Sequence, residues 1–80
     1  MSRKLPVIPA KQLISLMHSL GYEIIRQRGS HIRLERITET GVHKITVPNH
    51  NPIAIGTLND ILNKVAAWNQ TSKDKLVEKL

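Results

Sequence analysis

The sequence predicts an α+β fold in which two helices cover one face of a three-stranded antiparallel sheet. Apolar residues recur with a period of 3.6 near the N-terminus, change to a period of two after Gly21, and return to 3.6 after Thr57. The stretch of period two is cut by turn signals at Gly29-Ser30 and Glu39-Thr40-Gly41. Strands joined by turns this tight run antiparallel, and two amphipathic helices need one apolar sheet face to cover. With 10 Ile, 9 Leu and 5 Val among 80 residues, the aliphatic supply suits one such layered core, leaving the opposite sheet face to solvent.

Each element has its own signal. Leu13, Leu16, Met17 and Leu20 fall at i, i+3, i+4 and i+7, so a first helix is expected over about 9–20, with Pro9 in its first turn and Gly21 at the left-handed position beyond its end. Tyr22 to Arg28 reads as the first strand. His31 to Thr38 reads as the second, with Ile32 and Leu34 on one face, and Val42 to Val47 as the third, with Ile45 and Val47 on one face. Pro48, lacking an N–H, ends it, and Asn49-His50-Asn51-Pro52 is loop by composition. Thr57 with Asp60 three residues on resembles a capping box, and Leu58, Ile61, Leu62, Val65 and Ala66 form the next helical stripe. Thr71 or Ser72 with Asp74 offers a cap for a short or fraying helix carrying Leu76, Val77 and Leu80. One domain over residues 1–80 is expected, with a core of about 5–68 and a C-terminal extension at 69–80.

Size and composition narrow the function. A chain this short buries roughly 60% of the surface its unfolded form exposes, so the chemistry belongs on its surface. Without cysteine there is no disulfide framework, thiolate metal site or cysteine nucleophile, which fits a reducing compartment. No run approaches the ~18 apolar residues of a membrane span, and the Pro-broken start suits no signal peptide, so a cytoplasmic protein is expected. Tyr22 and Trp68 are the only aromatics. That is too little ring surface for base stacking to dominate nucleic-acid binding, so contacts to phosphate and ribose would carry it.

The charge is uneven. Twelve Lys+Arg against six Asp+Glu leave +6. Residues 1–48 hold eight cations against three acids, a net +5, whereas residues 49–80 hold four lysines against three acids. Within 26–33 lie Arg26, Arg28, Arg33 and His31, with no acid. This is either a solvated strand pair on a basic protein or a phosphate-binding face, since guanidinium matches phosphate bidentately. If Ile32 and Leu34 face the helices, alternation puts His31 and Arg33 on the open face beside the Gly29-Ser30 turn. Imidazole exchanges protons near neutral pH, and RNA is the anion that carries its own nucleophile, the 2′-hydroxyl. A base near that hydroxyl, with arginines on the phosphate, could cleave RNA without a metal.

The remaining candidates are weaker. His18 reads as a boundary or surface residue, and His43 suits a cross-strand polar contact. His50 could bind phosphate or support His31, against a turn or interface role. Ser30 lacks an activating triad and suits a turn hydroxyl bonding backbone or phosphate. No histidines stand at i, i+3 or i, i+4, so neither metal nor other cofactor is expected.

Gly21-Tyr22, Arg26-Gln27-Arg28-Gly29-Ser30-His31, Val47-Pro48-Asn49-His50 and Gly56-Thr57-Leu58-Asn59-Asp60-Ile61-Leu62, in that order and spacing, resemble the HicA family of bacterial toxins over roughly residues 5–66. The resemblance implies a double-stranded-RNA-binding-domain-like α-β-β-β-α fold. It also implies an mRNA interferase, a ribosome-independent RNA endonuclease that arrests translation and is neutralised by a HicB antitoxin. The family's Gly-Ser-His motif, with its catalytic histidine, maps onto Gly29, Ser30 and His31, and its basic strand onto Arg26 and Arg28. Two departures stand out: Ile8-Pro9-Ala10 replaces a Ser/Thr-type cap, and Asn69–Leu80 extends past the common family length.

The expected site is therefore His31 as the catalytic base, with Arg26, Arg28, Gly29, Ser30, Arg33, Lys44 and His50 contacting RNA. The expected partners are mRNA and a HicB-like antitoxin, with assembly into a larger toxin–antitoxin hetero-oligomer. Two other classes share the basic sheet: a non-catalytic double-stranded-RNA-binding module and a protein-interaction module.

Overall fold

The structure, a computed structural model, describes residues 4–80. Met1, Ser2 and Arg3, the start of the basic N-terminal segment, lie outside the described residues. The order is α1 (Ala10–Ser19), β1 (Glu23–Arg28), β2 (His31–Thr38), β3 (Gly41–Pro48), α2 (Ile55–Trp68) and α3 (Lys73–Glu78). The three strands form one antiparallel sheet in sequence order, so the expected α+β class and α-β-β-β-α order hold, with a short C-terminal helix added.

α1 begins one residue later than expected. Pro9 is its N-cap in extended geometry, without a side-chain cap bond. The free first turn is satisfied from elsewhere, because the Ala10 N–H donates to the His50 carbonyl at 3.1 Å. The helix ends in a Schellman motif: the Tyr22 N–H donates to Met17 O and the Gly21 N–H to His18 O, each at 3.0 Å. Gly21 has φ +98°, and a Cβ there would lie 3.2 Å from Arg36 Nε. The positive φ favours glycine, and a Cβ there would also press on the Arg36 side chain. The motif consumes Tyr22, whose ring is fully buried, so β1 starts at Glu23 rather than Tyr22.

Gly29, with φ +56°, takes the first central position of the β1–β2 hairpin; positive φ there alone is the mark of a type II′ turn. The second hairpin turns on Glu39-Thr40, and Gly41 already pairs with Thr38. On β2 and β3 the buried residues are Ile32, Leu34, Ile45 and Val47, which alternate with exposed or half-buried neighbours. Helices pack on that face and bring Leu13, Leu16, Met17, Leu58, Ile61, Leu62 and Val65 into the same core. β1 is different, being exposed at every position.

The helix after β3 corrects an expectation. Thr57 and Asp60 form no capping box, because α2 starts at Ile55 with Ala54 as N-cap and no side-chain cap bond. The cause lies upstream: Ile53 is buried, its N–H donates to the Ile8 carbonyl at 2.9 Å, and the chain turns helical directly beyond that anchor. At its far end α2 closes with Thr71 N–H on Ala66 O and Gln70 in the left-handed region at φ +55°. The tail then folds back. Ser72 caps α3 by accepting from the Lys75 N–H at 3.2 Å, and Leu76 is 1% exposed within the core.

Two stability measurements test this packing. Leu76→Ala should cost about 2–5 kcal/mol in urea denaturation, the range for emptying a buried leucine site. A cost near zero would mean that the tail is detached. Gln70→Gly should stabilise the protein by about 1 kcal/mol by relieving the left-handed side chain.

Candidate functional site

The open face of the sheet is built in rows across the ladder. Arg28 pairs with His31, which pairs with Pro48; Arg26 pairs with Arg33, which pairs with Thr46. The next row holds Glu23, Glu35 and Lys44. Ile37 and Val42 follow, both exposed. The face thus grades from cationic at the Gly29-Ser30 turn to apolar at the Glu39-Thr40 turn.

A β-bulge puts the arginines on this face. Ile24, Arg26 and Arg28 stand two apart and would share one side of a regular strand. The register shifts between Ile24 and Arg26, so Ile24 pairs with inward Leu34 whereas Arg26 pairs with outward Arg33. The extra residue, Ile25, reverses the alternation and turns both arginines towards His31.

Arg26, Arg28, His31, Arg33 and Thr46 line one concavity of about 340 Å³. Neighbours across the ladder stand about 5 Å apart and successive rows about 7 Å apart. No carboxylate lines it. Like charges packed at this spacing repel, and an anion seated among them removes the repulsion while gaining bidentate guanidinium contacts. Thr46 adds a hydroxyl. It is the lining residue that the sequence reading missed, although its place between inward Ile45 and Val47 marks it as outward.

The other candidates are placed as follows. Gly29 and Ser30 form the turn beside His31, and the Ser30 carbonyl accepts the Asn49 N–H at 2.6 Å. That bond ties the loop after β3 to the turn. His50 stands exposed on the same loop, outside the lining of the concavity. Lys44 lies one row farther, opposite Glu35, and lines an adjoining groove with Arg33 and Thr46. His18 is exposed and bonds the Tyr22 carbonyl at 3.3 Å. Among the described residues no three His, Asp or Glu gather as a metal site, and no helix is long and apolar enough to cross a membrane.

Residues 10–66 match the model of a family described as the HicA toxin of bacterial toxin–antitoxin systems. The chain belongs to the HicA toxin family. The match runs from the start of α1 almost to the end of α2, so it contains the whole sheet and its basic face. No curated protein and no solved structure matches the chain. Membership makes it the toxin of a toxin–antitoxin pair, with an antitoxin as its partner.

In this HicA-family chain the opposite end of the sheet carries a polar and aromatic cluster on the helix side. The Tyr22 hydroxyl bonds His43 Nδ1 and accepts from Asn69 Nδ2 at 3.1 Å. His43 stacks on Trp68 with ring centroids 5.2 Å apart and 11° between planes. Arg36, its cross-strand partner, bonds Asn69 Oδ1 and lies 5.7 Å from the centre of the Trp68 ring. The polar contact expected of His43 across the strands goes instead to Tyr22, which precedes β1, and its ring stacks on Trp68 at the end of α2. Burial raises the Tyr22 pKa, opposed by the Asn69 hydrogen bond and Arg36. Burial first, and the charge of Lys64 second, push the His43 imidazole below its ordinary range. The neutral ring can then accept the tyrosine O–H.

The unfolded chain protonates His43 near its ordinary pKa of about 6.5 and the folded one only at lower pH. Between those values the unfolded state binds more protons, so stability falls as pH is lowered. The urea midpoint of the wild type should therefore drop more between about pH 7.5 and about pH 5.5 than that of His43→Gln. Parallel pH profiles for the two proteins would reject this account.

Proposed function

We propose that this toxin is a metal-independent RNA endonuclease, an mRNA interferase, with His31 as its base. The observation that carries the reading is the concavity itself, one imidazole among three guanidiniums on an open face, next to the Gly-Ser turn of the family motif. Arg26, Arg28 and Arg33 hold the phosphate, and Gly29 lets backbone approach it. His31 takes the proton of the ribose 2′-hydroxyl, the 2′-oxygen bonds phosphorus, and the bond to the 5′-oxygen breaks, leaving a 2′,3′-cyclic phosphate and a 5′-hydroxyl end. The departing oxygen takes its proton from water, which reaches an exposed face freely, or from His50 on the loop tied to the turn. The nucleophile belongs to the substrate, so the protein supplies only a base and charge stabilisation.

Cytoplasmic mRNA is the substrate on this reading, and translation stops because its template is cut. A HicB-like antitoxin inhibits by occupancy, setting acidic groups over the basic rows and apolar ones over Ile37 and Val42. Toxin and antitoxin then assemble into a larger hetero-oligomer, and residues 69–80 are a C-terminal extension of the single toxin domain.

Induced expression of wild type and His31→Ala in bacteria, with mapping of RNA ends, tests the assignment. His31→Ala should keep its circular dichroism spectrum while cleavage falls by about 10²- to 10⁴-fold and growth arrest is lost. Wild-type cleavage should persist in EDTA and leave cyclic phosphate ends. A folded His31→Ala that remained toxic would remove His31 from the mechanism, and products ending only in 3′-hydroxyls would exclude the route.

A further inference from the structure

The catalytic concavity does not end at Thr46. Arg33 and Thr46 also line a second groove of about 300 Å³, together with Lys44, Ile45, Ile61 and Lys64. Arg33 and Thr46 are common to both, so the two hollows adjoin, and together they are treated as one channel. It runs from His31 along the open face, passes the outer edge of β3 and reaches α2. From the row of His31 to the row of Lys44 it covers four residues of strand, about 13 Å. This is longer than the concavity around His31 alone.

We propose that this channel is the path of the RNA backbone, and that Lys44 and Lys64 hold phosphates beyond the cleaved bond. The proposal rests on the RNA endonuclease reading and extends its site to a helix that carries none of the family motif's catalytic residues. Lys64 is singled out by position. Of the four lysines beyond residue 48 it alone lines the channel, whereas Lys73, Lys75 and Lys79 belong to the far tail, where Lys73 Nζ donates to Asn59 Oδ1 at 2.9 Å. Its side chain is exposed at the channel wall, above buried Ile45 and Ile61. Those two present an apolar floor that suits ribose, while the lysines on either side meet the charge.

The acids near the path are Glu35, opposite Lys44 in the sheet, and Asp60, one helical turn before Lys64. Neither lines the channel. Surface charges at such separations interact weakly and are screened, so these carboxylates compete little with a phosphate.

The test uses the full chain carrying His31→Ala, so that RNA is bound without being cut, and a fluorescent unstructured oligoribonucleotide. Affinity is measured across a range of salt. Adding Lys64→Gln, or Lys44→Gln, should weaken binding several-fold and make the slope of log K against log salt shallower by about 0.7 for each phosphate that the protein no longer neutralises. Lys79→Gln removes the same charge outside the channel and should leave the slope unchanged. Circular dichroism checks the fold of each protein. A Lys64→Gln protein that matches Lys79→Gln in affinity and slope would overturn the extended path and leave the endonuclease reading intact. Failure of the folded His31→Ala parent to bind RNA would remove both.

Discussion

Ile32 and Leu34 sit in the core against the helices, and their seating sets the direction of every other side chain on β2. β2 is the central strand, paired on both sides, so its alternation is passed to β1 and β3 through the register. His31 and Arg33 must point away from the core because their neighbours point into it. A slip of one residue would bury both and expose two large aliphatic side chains, a change of several kcal/mol in a domain whose whole stability is about 5–15 kcal/mol. The candidate chemistry is thus held in place by the same burial that holds the protein together.

The two ends of the sheet are joined to the helices in different ways. At the His31 end the links are backbone hydrogen bonds: Asn49 to Ser30, Ala10 to His50 and Ile53 to Ile8. They fix the position of the turn without placing another side chain over it, so the face stays open. At the other end the links are side chains, with Tyr22, Arg36, His43, Trp68 and Asn69 meeting where α2 terminates. The His31 end is therefore left open on the outer face, whereas at the other end side chains tie the sheet to α2 beside a hollow of about 570 Å³ lined by Arg36, Thr38, Val42, Trp68 and Asn69. β1 adds a third condition, since it lies beyond the helix layer and is held by its pairing with β2.

Much of this was legible in the chain. Periods of 3.6 and two marked the helices and strands, and Gly21 and Gly29 announced backbone positions that few other residues tolerate. The alternation through Ile32 and Leu34 located His31 and Arg33. What was not legible depends on contacts between distant residues. The bulge at Ile25 is set by pairing with β2 and has no local sign. Thr57 looked like a cap because of its hydroxyl, yet Ile53 bonding to Ile8 starts the helix three residues earlier. Leu76 seemed weakly apolar in a basic tail, but one buried leucine is enough to bring that tail home. Lys64 is distant in sequence from the site and reaches the channel only because α2 packs beside β3.

Charge density explains why the site is broad rather than deep. Two unit charges ~6 Å apart repel by about 0.7 kcal/mol in water, but by about 3 kcal/mol at an effective dielectric of ~20. A marginally stable small domain could not carry several such repulsions in an enclosed pocket. On an open face, water screens them and the cluster is tolerable. Under the proposed function the same screening weakens each contact with a phosphate, so affinity has to come from the number of contacts rather than the strength of one. A row of cations along a shallow channel is the form that meets both conditions. It also exposes the site to any acidic surface of matching shape, which is the route to inhibition under the proposed function.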